Sequence, residues 1–102
     1  MAHRNSNENE EPHHLYEIVD KKDYDTFKYG ISSGPISEKD GMSKRMRAQL
    51  RIANLIADWA RFFARILIYN IPGREEAKRI ESEHIKAYKE RHGRRPRGNL
   101  TD

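Results

Sequence analysis

LYEIVDKKDYDTFKYGIS, residues 15–32, contains two short runs of β-branched and aromatic residues separated by Lys21, Lys22 and Asp23. Runs of this kind favour the half-buried surface of a sheet, and a short polar break between them predicts a β-hairpin with strands over 15–20 and 24–31. In the second run the period of two places Phe27, Tyr29 and Ile31 on one face, and Thr26, Lys28 and Gly30 on the other.

Downstream, SSGPISEKDGM (32–42) carries two glycines and a proline and reads as a loop, with Ser43 as N-cap of a following helix. From Ser43 to about Ala60, the residues Met46, Leu50, Ala53, Ile56, Ala57 and Ala60 recur at helical spacing. They form an apolar face with Arg45 at its edge and Arg47 and Arg51 turned away. Residues 62–71 are β-branched and aromatic and stop at Pro72-Gly73, which predicts a third strand, with helix continuation as the alternative. Residues 74–91 form a second helix, rich in Glu, Lys and Arg and stopped by Gly93. The order strand, strand, helix, strand, helix predicts an α+β fold in which two main helices flank a small three-stranded antiparallel sheet. One domain is expected over 15–102. The polar, aperiodic residues 1–14 read as a flexible arm, and the tail RRPRGNLTD as irregular.

With 102 residues, 35% of them hydrophobic and 35% charged, the chain supports one small domain with a thin core. Its mean hydropathy is -1.05. The lack of cysteine excludes disulfides, thiol nucleophiles and thiolate zinc sites. Arg61 and Arg65 interrupt the most apolar stretch, which is too short to span a membrane, so no membrane insertion is expected. No signal peptide is recognisable, and any export would use another route. Twenty Lys and Arg against sixteen Asp and Glu favour an anionic partner such as nucleic acid. Lys39, Lys44, Arg94, Arg95 and Arg97, with Arg47, are the candidates to follow a phosphate backbone. His13, His14, His84 and His92 form no compact metal signature. Trp59 reads as core.

One residue departs from its surroundings. On the wheel of the second helix, Ala77, Ile80, Ile85 and Tyr88 define the buried arc, and Glu81 and His84 fall inside it. The other charged side chains of the helix lie elsewhere. An inward carboxylate is costly unless it is paired, protonated or bound to a metal, so Glu81 is either a salt-bridge partner or a metal ligand or general acid/base. His84 reads as a hydrogen-bonded, half-buried histidine.

These residues, in this order, resemble the GIY-YIG endonucleases from Leu15 to Asn99. The family's first-strand tyrosine corresponds to Tyr16, the glycine ending its second strand to Gly30 in KYGIS, and its helix arginine to Arg45 in SKRMRAQ. Its metal-binding glutamate falls on Glu81 in RIESEHIKAY, and its closing Pro-x-x-Asn on Pro96 to Asn99. The family's second tyrosine meets Lys28 here, with Tyr29 displaced by one. Either Lys28 takes the active-site position, or a bulge lets Tyr29 serve. Lys28 is preferred, because Tyr29 shares its face with Phe27 and Ile31. The long loop and the ending GRRPRGN are most similar to nuclease domains at the C-terminal tips of bacterial polymorphic toxins.

The resemblance implies a metal-dependent endonuclease acting on nucleic acid, with double-stranded DNA expected. Glu81 would hold one Mg²⁺ or Mn²⁺ ion. Tyr16, its pKa lowered by Lys28 or the metal, would serve as general base or orient the attacking water. Arg45 would bind the phosphate. Asn99 would bond a phosphate or fix the tail. The toxin resemblance further implies a secreted or delivered bacterial effector that acts in the target-cell cytoplasm, with a cognate immunity protein as partner. Otherwise a cytoplasmic protein is expected. Two other classes fit the residues: a non-catalytic nucleic-acid-binding domain, and an interaction module adding residues 62–71 to a partner's sheet.

Overall fold

The structure, a computed structural model, describes residues 10–101. Residues 1–9 of the expected arm lie outside the described residues. The chain forms β1 (Pro12–Asp20), β2 (Asp25–Ser32), α1 (Lys44–Ala57), β3 (Phe62–Pro72) and α2 (Arg74–His92). The three strands make one antiparallel sheet in the order β2-β1-β3, the expected α+β fold. β1 begins three residues before Leu15, bringing His13 and His14 into the buried part of the sheet.

Central β1 is buried at every position after Pro12 because it is paired on both edges and covered on both faces. Its side chains alternate between two clusters. Leu15 packs with Ile31, Ile71 and Ala77 on the α2 side. Tyr16 and Ile18 pack with Met46 and Phe62 on the α1 side. Each fully buried Leu, Ile or Met contributes about 1.5–3 kcal/mol, so this double covering supplies much of a thin core's stability.

The β1/β2 register holds one irregularity. Ile18 pairs with Lys28, but Val19 pairs with Thr26, which leaves Phe27 as an extra residue. This bulge turns Phe27 to the α1 side, where its ring meets that of Phe62 with centroids 4.8 Å apart. The expectation that Phe27 shares a face with Tyr29 and Ile31 is therefore corrected: Tyr29 and Ile31 stay with the α2-side cluster. β2 also starts one residue late, because Tyr24 sits in the turn with φ 50°.

α1 ends earlier than its apolar pattern predicts. Asp58 takes the left-handed conformation (φ 63°) and closes the helix at Ala57. The Asn54 side chain then holds the start of β3, accepting from the Phe62 N–H (2.7 Å) and donating to the Phe62 carbonyl (3.2 Å). Continuation of α1 through 62–71 is thereby ruled out. Ala60, expected on the apolar face, and Trp59, expected in the core, fall in the turn and are exposed. Ile56 is 81% exposed, since α1 packs on the sheet mainly through Met46, Leu50 and Ala53.

α2 closes on Gly93 at φ 74°, whose N–H bonds the Lys89 carbonyl (2.8 Å). Beyond it the tail is docked. The Gly98 N–H donates to the Phe27 carbonyl (2.7 Å). Asn99 accepts from the Tyr29 N–H and donates to the Tyr29 carbonyl, both at 2.9 Å. The tail thus satisfies backbone groups on the outer edge of β2.

Candidate functional site

A cavity of about 260 Å³ opens where β2, α1, α2 and the tail meet. Tyr16, Lys28, Tyr29, Arg45, Glu81 and Asn99 all line it, together with Gln49, Arg74 and Lys78. Tyr16 comes from β1 and is fully buried. Its ring lies against Gly30, its partner in the β1/β2 register. A Cβ on Gly30 would sit 2.8 Å from Tyr16 Cε1 and closer still to Cζ and Oη. Only glycine lets the ring lie there, which explains why the second strand carries Gly30 at this point. The Tyr16 hydroxyl donates to Gln49 Oε1 on α1.

Lys28 pairs with Ile18 and faces the same side as Tyr16. The Tyr29 ring instead packs in the α2-side cluster, edge-on to His84 at 5.5 Å. His84 Nδ1 lies 2.9 Å from the Ile80 carbonyl oxygen.

Burial dominates the electrostatics. It pushes the Tyr16 phenol up to about 12, with Arg45 opposing and Glu81 reinforcing. Lys28 does not bring the phenol down, and without a metal it is neutral across the physiological range. Burial, aided by Arg45, lowers Lys28, with Glu81 opposing. Burial raises Glu81, against Lys28, Lys78, Arg74 and Arg45. Among the described residues, Glu81 is the one carboxylate lining the cavity, beside four cationic side chains. Among the described residues, no hydrogen bond or ion pair within 4 Å holds that carboxylate. Arg74 Nε is buried without a hydrogen-bond partner.

Other predicted phosphate ligands lie elsewhere. Arg47 is held by Asp40 (2.6 and 3.0 Å) and by the Met42 carbonyl, outside the cavity. Arg97 donates to Asp20 Oδ2 (2.7 Å) and covers the Phe27 ring. Arg94 pairs with Asp25 (3.1 Å). Arg95 is exposed and does not line the cavity. Asn99 does line it, but both ends of its amide are engaged by Tyr29, so it fixes the tail beside the site.

Sequence reasoning missed Gln49, Arg74 and Lys78. A signal was present for each. Gln49 stands four residues after Arg45, and Arg74, Lys78 and Glu81 follow one another at helical spacing.

A family model described as URI fold toxin 2 matches residues 6–93. The chain belongs to this family of toxins. The URI fold is nuclease-like, which agrees with a β-β-α-β-α chain whose cavity is lined by a tyrosine, an arginine and a glutamate. In this URI fold toxin, the family match contains every cavity residue up to Glu81, whereas the docked tail lies beyond its end. No curated protein and no solved structure matches the chain. Among the described residues, no helix is long and apolar enough to cross a membrane.

Proposed function

We propose that this URI fold toxin is a metal-dependent endonuclease of GIY-YIG type that hydrolyses phosphodiester bonds, with DNA as substrate. The observation that carries this reading is the convergence of Tyr16, Lys28, Arg45 and Glu81 on one cavity, with Arg74 and Lys78 beside them. As a toxin module of a delivered bacterial effector, it would act in the target-cell cytoplasm and pair with a cognate immunity protein.

The cavity's cations suit a phosphate. Arg45 and Arg74 offer guanidinium donors to its oxygens. Guanidinium and ammonium groups fixed beforehand stabilise charge that builds up on the phosphate during attack. Tyr16 is neutral, its proton is directed to Gln49 and its oxygen interacts with Arg45, and the hydroxyl would orient the attacking water through its remaining lone pair. Lys28, its pKa lowered by burial, places positive charge beside the departing oxygen.

The residues also fit a divalent cation. Glu81 offers a carboxylate without a competing hydrogen bond, and Mg²⁺ or Mn²⁺ is commonly held by one carboxylate, waters and substrate phosphates. When bound, such an ion lowers the pKa of coordinated water and offsets phosphate charge.

The direct test incubates the purified protein with duplex DNA and with RNA, in Mg²⁺, in Mn²⁺ or in EDTA. Cleavage of DNA that needs the metal is expected. Intact DNA under every condition contradicts the proposal.

A further inference from the structure

Beside the candidate site lies a second cavity of about 360 Å³, between the loop at 32–35 and the first turns of α1 and α2. It adjoins the site, since Ile31, Arg45 and Arg74 line both. Among the described residues, its charged lining consists of Lys44, Arg45 and Arg74, with no carboxylate. Two hydrogen bonds fix the elements around it. The Ser43 hydroxyl, the expected cap of α1, instead shares a 2.9 Å hydrogen bond with His14 Nε2, which ties the start of α1 to β1. The Ser32 hydroxyl accepts from the Gly34 N–H (3.3 Å), curling the loop over the cavity's rim. Arg74, whose buried Nε has no hydrogen-bond partner among the described residues, lines both cavities.

We propose that this second cavity is a subsite for a non-scissile phosphodiester, gripped by Lys44 and Arg74 while Arg45 and Arg74 also serve the cleaved one. The ligand chemistry is a phosphate monoanion within a polymer. Lys44 is exposed and lines the second cavity but not the first. Its contribution can therefore be separated from that of the reacting groups. The inference rests on the nuclease reading for the identity of the polymer, and it implies a substrate extending at least one phosphodiester beyond the cleavage position.

The test measures binding of a labelled oligonucleotide in EDTA, so that affinity is read without turnover. Each neutralised phosphate changes the slope of log K against log salt by about 0.7 to 0.9. Lys44→Gln should lower affinity several-fold and reduce the slope by about that amount, while Lys44→Arg should restore both. An oligonucleotide with neutral methylphosphonate linkages flanking the central phosphate should show the same reduced slope with the wild type and no further loss with Lys44→Gln. Competition by inorganic phosphate alone, with no loss on methylphosphonate substitution, would mean a free anion occupies the cavity and would overturn the proposal. So would a slope indifferent to Lys44→Gln. Cleavage in Mg²⁺ is measured in parallel: a Lys44-dependent slope without cleavage removes the nuclease reading and keeps the subsite. Cleavage with an unchanged slope does the reverse, and no binding by the wild type at low salt removes both.

Discussion

The Tyr16 ring occupies the space that a Gly30 side chain would fill, so the first-strand phenol and the second-strand glycine form one structural unit. The methyl of Gly30→Ala must displace the ring or the strand. Overpacking of this kind costs about 1–3 kcal/mol, a fall in Tm on the order of 10 °C for a domain this size. Thermal melting should show that fall, with cleavage lost beyond what unfolding explains. A variant as stable and active as the wild type would mean the ring lies elsewhere.

Tyr16→Phe keeps the ring and removes only the hydroxyl that bonds Gln49. Stability should change by about 1 kcal/mol or less, whereas the cleavage rate should fall by about 10²-fold or more. Denaturant melts and single-turnover rates separate the two effects.

The pH dependence follows from burial. The proposed mechanism needs Glu81 ionised to hold a cation, and its pKa is raised, so activity should fall on acidification through a value above the usual ~4.3. The same mechanism needs Lys28 protonated, and its pKa is lowered, so activity should also fall on the alkaline side below the usual ~10.4. Tyr16, at about 12, should contribute no break between these limbs. A pH–rate profile checks this, and Lys28→Met should abolish the alkaline limb along with most of the rate.

Asp20 ties the fold to its tail. Its fully buried carboxylate accepts from Arg61 (2.9 and 2.7 Å) and from Arg97 (2.7 Å). The Arg61 hydrogen bonds, joined by that of Arg97, hold the carboxyl well below its usual range against the opposing effect of burial. A depressed folded-state pKa means this stabilisation is present above about pH 4 and is lost as the pH falls below it. Asp20→Ala should cost on the order of 2–3 kcal/mol, less than a fully buried pair, because the guanidiniums are partly exposed. It should also expose the tail to trypsin and flatten the acid limb of the stability curve.

Much of this was legible from local pattern. The hairpin, the third strand, the second helix with its Gly93 stop and the inward arc containing Glu81 each follow from spacing within one element. The exceptions are products of tertiary context. The bulge opposite Ile18 and Val19 moves Phe27 to the other face, and no residue type announces it. α1 stops at Ala57 through a left-handed aspartate, which leaves Ile56 and Trp59 outside the core. The docking of Asn99 on the Tyr29 backbone joins residues 70 apart in sequence. The upward shift of Tyr16 depends on how deeply three elements bury it, which spacing along one strand does not convey.

The central claim is that the Glu81 carboxylate serves phosphodiester cleavage. Its most direct test compares wild type with Glu81→Gln, which preserves shape and removes charge, on plasmid DNA in Mg²⁺, with circular dichroism confirming that both are folded. The account predicts that the wild type cuts and that the folded Glu81→Gln protein retains DNA binding but cuts at least about 10²-fold more slowly. A folded Glu81→Gln protein that cuts at the wild-type rate would contradict it.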